Sequence, residues 1–220
     1  MIKSAILGSA IALTFGVVAN AASTATIDFT DRTVWPDGFA TTSVFGSTVS
    51  LQPEARINSV QDYDGFAGET GGLAEVTDGF GIRDDELTAP STPPEFITVN
   101  FDGPLFVTGF HFLDLYQSPT TDDLESAIVT FDDGGVIELF AVQDNEGAAG
   151  NGGYAFHAID RRLVSSLTFT VGAGNDGFGK SDYAVAGIDV EPVPLPAAAW
   201  MLLTGLAGAG YIVRRRRAIA

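Results

Sequence analysis

The acidic side chains are the residues of this chain whose type and spacing best fit a chemical role. Asp84, Asp85 and Glu86 are consecutive, and Asp78 precedes them in a glycine-containing stretch. Ca²⁺ takes about six to eight oxygen ligands, chiefly carboxylates and backbone carbonyls. The loop therefore predicts a calcium site. Its spacing is not that of an EF-hand, and a solvated acidic loop is the alternative interpretation.

A second calcium grouping depends on topology. Asp28 lies in the first predicted strand (25–29) and Asp189 in the last one (183–190), and Asp182 immediately precedes that last strand. In jelly rolls the first and last strands are often neighbours, so these three carboxylates form a second candidate ligand set for calcium.

Catalytic motifs are absent from the sequence. There is no G-x-S-x-G, no H-E-x-x-H and no P-loop, and the chain has no cysteine. The two histidines, His111 and His157, each fall within a predicted strand, where a structural role is the ordinary one. We therefore predict no enzymatic activity. A polysaccharide hydrolase that uses two carboxylates of the acidic loops, such as Asp85 and Glu86, is the alternative.

Four aromatic residues outside the regular strand pattern are candidates for stacking on a sugar. Trp35 precedes a Pro-Asp-Gly turn, and Tyr63, Tyr116 and Tyr154 lie at strand ends or in loops. Rings in such places can pack against sugar faces while nearby Asp and Asn side chains bind hydroxyls. The alternative is that they cover the edge of the core.

The elements that must position these residues are strands. Apolar residues alternate with polar ones, Thr, Val and Phe are common, and turn residues interrupt the pattern every few positions. Asp132-Asp133-Gly134-Gly135 is a hairpin signal between two such segments. We predict an all-β fold, an antiparallel β-sandwich of the jelly-roll-like kind. The predicted strands cover residues 25–29, 41–51, 96–101, 105–115, 126–131, 136–142, 154–159, 163–171 and 183–190.

The N-terminus has the features of a signal peptide. Lys3 is followed by an apolar run from Ala5 to Val18, and Ala19-Asn20-Ala21 fits a signal peptidase site. Residues 1–21 are predicted to be removed after export through the Sec translocon.

The C-terminus combines a short motif, an apolar run and a basic cluster. The motif is Val193-Pro194-Leu195-Pro196-Ala197, and Arg214-Arg215-Arg216-Arg217 forms the cluster. The 17 residues at 197–213 carry no charge, and a helix of that length reaches roughly 26 Å, which just spans a hydrocarbon core. The arginines would stay on the cytoplasmic side.

These three features in this order resemble the PEP-CTERM class of bacterial sorting tails, in its VPLPA-CTERM variety. The resemblance implies that an exosortase recognises 193–197 and removes the helix, and that the host has a Gram-negative type of envelope. The stretch 78–86 with the strand at 95–101 is similar to the glycine–aspartate loop of the small β-sandwich bodies that precede such tails. The predicted organisation is a signal peptide (1–21), a β-sandwich domain (22–191) and a sorting tail (192–220).

The segment between the two ends is strongly acidic. Five of the 11 basic residues and none of the 28 acidic ones lie in the ends, so residues 22–196 have a formal charge of −22. This charge excludes nucleic acid as a partner. We expect a membrane-anchored precursor that passes transiently through the inner membrane and becomes a non-catalytic protein of the cell surface or extracellular polysaccharide. A purely structural matrix protein is a further alternative.

Overall fold

The computed structural model describes residues 23–36, 41–58, 71–74, 76–83, 86–118, 123–142, 153–174, 180–194 and 205–206. Nearly all regular structure in these residues is β, and every strand pairing is antiparallel, which confirms the predicted class. The strands are β1 (Ala25–Asp28), β2 (Thr42–Val44), β3 (Ser47–Pro53), β4 (Ile57–Asn58), β5 (Gly81–Ile82), β6 (Leu87–Ala89), β7 (Ile97–Leu113), β8 (Ser126–Phe131), β9 (Val136–Phe140), β10 (Ala155–Val171) and β11 (Ser181–Glu191).

Two long strands, β7 and β10, pair with each other and organise the main sheet, whose order is β1-β11-β7-β10-β8-β9. Along its other edge β7 has two partners in succession. Residues 97–101 pair with β3, and residues 106–113 pair with β11. Each half of β7 therefore belongs to a different set of neighbours.

Both long strands were predicted as two separate strands, and this prediction is wrong. Residues 102–104 (Asp-Gly-Pro) separate the two predicted strands 96–101 and 105–115, yet β7 continues through them. Pairing with β3 ends at Phe101 and pairing with β11 begins at Phe106, while β10 pairs with Leu105 and Asn100 but not between them. Pro104 has no backbone N–H, but it lies in the unpaired stretch of β7, where no hydrogen bond to a neighbouring strand is lost. It therefore does not interrupt the strand.

The core lies between the two halves of the folded sheet. The ring centroids of Phe110 and Phe169 are 5.8 Å apart, although the backbone partner of Phe169 is Ile97 at the opposite end of β7. Each fully buried Phe contributes about 1.5–3 kcal/mol of transfer free energy. The largest buried side chains are Trp35, Tyr183, Phe29, Phe80, Phe110, Phe112, Phe169, Ile82, Leu87, Ile97, Leu113 and Leu115.

The first and last strands, β1 and β11, are paired, as the jelly-roll interpretation expected. The predicted strand 41–51 is instead a hairpin of β2 and β3, because Phe45 and Gly46 both have positive φ (51° and 82°) and form a two-residue turn. No strand was predicted between residues 51 and 96, but three short strands lie there among the described residues. Of these, β5 pairs with β4, and β6 pairs with β11.

The two predicted targeting segments fall mostly outside the described residues. This applies to the signal peptide with Ala19 and Ala21, and to the tail from Leu195 onward except Gly205 and Leu206. Val193 and Pro194 follow β11 directly and are exposed. Within the part of the chain that is described, no helix is long and apolar enough to cross a membrane.

Candidate functional site

Strands β1, β11, β7 and β10 place a group of polar and aromatic side chains on the outer face of the sheet. Register sets Thr26 opposite Asp189, Asp189 opposite Gly109, and His111 opposite Phe156. In β7, Phe110 and Phe112 point into the core, so Gly109 and His111 must point outward. We call this group, together with Tyr154 at the start of β10, the Phe156 face.

A chain of hydrogen bonds orders the polar side chains of the Phe156 face. The Thr26 hydroxyl donates to Asp189 Oδ1 at 2.6 Å, and His111 Nε2 donates to the same oxygen at 3.2 Å. On the other side of the ring, His111 Nδ1 accepts from the Tyr154 hydroxyl at 2.8 Å. Burial, and secondarily the charge of Asp189, raise the pKa of Tyr154 to about 12. The tyrosine therefore remains a neutral donor at physiological pH.

Phe156 is the exposed ring of this face, with 42% of its surface accessible. Its ring centroid lies 4.7 Å from that of His111, and the ring covers Gly109. A Cβ at position 109 would be 2.8 Å from Phe156 Cε2, so only glycine lets the ring rest against the sheet. The result is an aromatic side chain that packs on the sheet and remains partly open to solvent.

Asp189 has one oxygen in use and one available. Oδ1 accepts from Thr26 and His111, whereas no described residue donates a hydrogen bond to Oδ2. Oδ2 lies 3.4 Å from where a Cβ at position 109 would be, beside the Phe156 ring. An aromatic face and a free carboxylate oxygen are thus neighbours.

A small apolar cluster and the loop at residues 71–74 lie next to the Phe156 face, on the same side of the sheet. Leu73, Leu113, Ala184 and Ala186 pack together, and Tyr154 packs against them. The loop is held down because Ala74 N donates to Asp28 Oδ2 at 2.6 Å. The other oxygen of Asp28, Oδ1, accepts hydrogen bonds from the N–H and the hydroxyl of Thr30. Both carboxylate oxygens of Asp28 are therefore used within the fold.

The four residues predicted to stack on a sugar lie in different environments. Trp35 is 1% exposed, its Nε1 donates to Asp28 O at 2.8 Å, and its ring packs on Phe29 and Phe80. The stacking prediction is therefore wrong for Trp35, because the turn before Pro36 folds the indole back into the core. Tyr154 is half-buried and belongs to the Phe156 face.

Tyr116 is also half-buried, and its ring lies against Gly153, whose Cβ would be 2.9 Å from Tyr116 Cζ. Tyr63 lies outside the described residues. The sequence analysis did not single out Phe156, because this residue falls within the predicted strand 154–159 and only aromatic residues outside the regular strand pattern were considered for stacking. The signal that could have pointed to it is the alternation with Ala155, which faces the interior.

The first predicted calcium group lies only partly within the described residues. Asp78 is 5% exposed, Glu86 is half-buried just before β6, and Asp84 and Asp85 lie outside the described residues. Among the residues that are described, no group of three or more His, Asp or Glu side chains could hold a metal ion.

The second calcium grouping is therefore wrong. Asp28 and Asp189 share the outer face of the β1–β11 pair, but Asp182 pairs with Thr88 at the opposite end of β11. The register of β11 separates the carboxylates that the pairing of first and last strands was expected to bring together.

A buried carboxyl group that the sequence did not reveal lies at that end of β11. Glu125 is fully buried, and its oxygens accept from Tyr116 N at 2.8 Å and from Asp182 N at 3.1 Å. Burial is the largest cause that raises the pKa of Glu125 to about 9, and the neighbouring Asp182 carboxylate adds to it. Glu125 joins the end of β7 to the start of β11, which is a structural function.

No protein-family model matches the chain, and no curated protein matches it. Among solved structures it is similar to a truncated AlyQ with CBM32 and alginate lyase domains (TM-score 0.36, 9% identity, 71% of this chain and 34% of that one). It is also similar to CpGH89CBM32-5 from Clostridium perfringens in complex with GalNAc-β-1,3-galactose (TM-score 0.35, 11% identity, 64% and 94%). The chain thus spans about a third of the first structure's length. At these scores the likenesses assign it to no family and carry no weight for its function.

Proposed function

We propose that this chain is an exported, non-catalytic protein that binds a glycan at the Phe156 face. The observation that supports the proposal is the exposed Phe156 ring, which packs against Gly109 close to the free oxygen of Asp189. Sugars offer apolar C–H faces that pack on aromatic rings and hydroxyls that donate to carboxylates. The hydrogen-bonded base of Tyr154 and His111 keeps this surface in one geometry, so little ordering entropy is lost on binding.

The fold we propose is a jelly-roll-like β-sandwich. The pairing of β1 with β11 and the packing of Phe110 on Phe169 across the two halves of β7 support it. Such a body offers a rigid sheet face for recognition, but the architecture does not choose a function.

Export and sorting are proposed from the two ends. The signal peptide would be cleaved after Ala21, and an exosortase would process the motif at 193–197 and release the domain from its helix and arginine cluster. Mass spectrometry of the protein recovered from medium and envelope tests this. Loss of both ends supports the proposal, and a cytosolic chain that retains Met1 and Ala220 contradicts it.

The glycan proposal is tested by retention of the mature protein on a glycan array and by affinity electrophoresis in polysaccharide gels. Phe156→Ala removes the ring, and Phe140→Ala is the matched control because Phe140 on β9 is also 42% exposed but lies outside the Phe156 face. We expect at least about a tenfold loss of affinity for the first variant and none for the second. Failure of the wild-type protein to bind any glycan contradicts the proposal and leaves the structural matrix protein as the alternative.

Release of new reducing ends from the bound glycan would support the hydrolase alternative instead. Its dependence on Asp85→Asn or Glu86→Gln would then identify the loop carboxylates as participants.

Calcium stabilisation is proposed only for the loop that contains Asp78 and Glu86. A ligand that binds the folded state must raise the melting temperature. We expect a rise on adding about 5 mM Ca²⁺ that magnesium does not reproduce. An unchanged melting temperature contradicts this part of the proposal.

A further inference from the structure

We infer that the glycan recognised at the Phe156 face carries free amino groups, as in a de-N-acetylated hexosamine polymer. This inference rests on the proposed function and names the substrate class of the same site. It follows from the unused hydrogen-bonding capacity of Asp189, the adjacent aromatic ring and the charge of the surrounding protein.

The first step concerns Asp189. Its side chain is 18% exposed, so the carboxylate is partly desolvated, and its Oδ1 already accepts two hydrogen bonds. Its Oδ2 has no donor among the described residues. A partly buried anion gains most from a cationic donor, because charge-assisted hydrogen bonds are about twice as strong as neutral ones. A sugar ammonium satisfies Oδ2 better than a hydroxyl does.

The second step concerns Phe156. The face of an aromatic ring is electron-rich and attracts a cation placed within about 6 Å of its centre. Phe156 Cε2 and Asp189 Oδ2 lie 2.8 Å and 3.4 Å from the same point, the position that a Cβ on Gly109 would take. We therefore expect one ammonium group bound at this place to contact both the ring and the carboxylate. An N-acetyl group at the same position has no charge and places a bulky carbonyl and methyl there instead.

The third step concerns the cations that could neutralise Asp189. His111 Nε2 contacts Asp189 Oδ1 at 3.2 Å, whereas no basic side chain among the described residues pairs with Oδ2. Arg161 and Arg162 lie on the same strand as Phe156, but they have other partners. Arg161 Nε binds Glu191 at 2.7 Å, and Arg162 Nη2 binds Asp133 at 2.6 Å. Within residues 22–196 there are 28 acidic and six basic side chains. The resulting field attracts a polycation and repels uronate or sulfated polysaccharides.

The test uses the mature protein and oligosaccharides of one length: fully de-N-acetylated chito-oligomers, their N-acetylated forms and neutral cello-oligomers. Affinities are measured at low and at high salt, because exposed charge–charge attraction weakens as salt rises. We expect the free-amine oligomer to bind the wild-type protein at least tenfold more tightly than the N-acetylated one. This comparison requires no variant, so a folding defect cannot obscure it.

Two variants then locate the effect. Asp189→Asn should weaken binding of the free-amine oligomer at least about fivefold more than binding of the N-acetylated oligomer, and so remove most of the preference. Asp133→Asn removes the same charge from an exposed turn outside the Phe156 face and should leave the preference unchanged. Melting curves confirm that both variants are folded.

Each result decides one question. Equal affinity for both oligomers, with both lost in Phe156→Ala, overturns the amino-sugar inference and leaves the proposed function intact. Equal loss in Asp133→Asn and Asp189→Asn overturns the inference too, because it shows attraction by net charge alone. Absence of binding to every oligomer overturns the proposed function.

Discussion

Glu125 and Asp189 are carboxyl groups placed at opposite ends of β11, and their surroundings differ in an instructive way. Both oxygens of Glu125 accept backbone amides, and the group is completely buried. Asp189 uses one oxygen within the fold and leaves the other beside an exposed ring. A carboxyl group whose oxygens already accept hydrogen bonds within the protein stabilises the fold. A ligand site requires an oxygen that can still accept a hydrogen bond, next to an accessible apolar surface.

Desolvation explains why the first group cannot also bind a ligand. Removing Glu125 from water is so costly that it holds its proton near neutral pH, and a neutral acid attracts no cation. The Asp189 side chain is 18% exposed, so it keeps contact with solvent and stays accessible to a ligand. The comparison predicts that changes at Glu125 alter stability and changes around Asp189 alter binding.

The largest expected effect is on stability, in Glu125→Ala. The amides of Tyr116 and Asp182 lose their acceptor in a buried place, and each such loss costs about 1–3 kcal/mol. We expect the free energy of unfolding, measured by urea titration, to fall by about 2–4 kcal/mol. Glycan affinity of the folded fraction should stay unchanged. A fall below about 0.5 kcal/mol would show that Glu125 does not join β7 to β11.

The second prediction is a pH dependence. An unfolded Glu titrates near 4.5 and Glu125 titrates at about 9 in the folded state, so between these values the folded protein binds one more proton. The contribution of Glu125 to stability is therefore complete below pH 4.5 and declines as pH rises toward 9.

Glu125→Gln cannot titrate and should remove this decline. We expect the difference in melting temperature between wild type and variant to change by several degrees between pH 5 and 8, at roughly 2–4 °C per kcal/mol. Parallel pH profiles for the two proteins would contradict the assigned pKa direction.

A smaller effect, on binding alone, is expected from Gly109→Ala. The new Cβ would lie 2.8 Å from Phe156 Cε2 and displace the ring, which is the flexible far end of a side chain. Glycan affinity should fall about tenfold with less than about 1 kcal/mol lost in stability. Gly103→Ala is the control, because a Cβ there is 3.7 Å from its nearest neighbour, Ser47 Oγ. Unchanged affinity in Gly109→Ala would show that the position of the ring is unimportant.

The smallest effect is expected from Tyr154→Phe. It removes the hydroxyl that donates to His111 Nδ1 and leaves the ring in place. We expect a loss of about 0.5–1.5 kcal/mol in unfolding free energy and a modest loss of glycan affinity. If stability rises instead, the hydroxyl is not satisfied by His111 as described.

Particular residues show how far the sequence could predict this arrangement. Alternation in 126–131 and 136–140 and the Asp-Gly-Gly turn between them correctly predicted the β8–β9 hairpin, because both signals are local. Trp35, predicted to be available for stacking, is buried, whereas Phe156, which lies in a predicted strand, is exposed. Aromatic residues are equally compatible with both environments, so their burial depends on what packs against them and not on their own type.

The sequence by itself determined the strand character of the chain, its acidic surface, and the export and sorting interpretation of its ends, because each depends on residue type and short-range spacing. Only the tertiary structure decided that Pro104 lies within a strand, that Asp28 and Asp182 are apart, and that Gly109 supports Phe156. These facts depend on register between distant strands. A shift of one residue would turn every side chain of β7 to the opposite face, and register is set by the whole core at once.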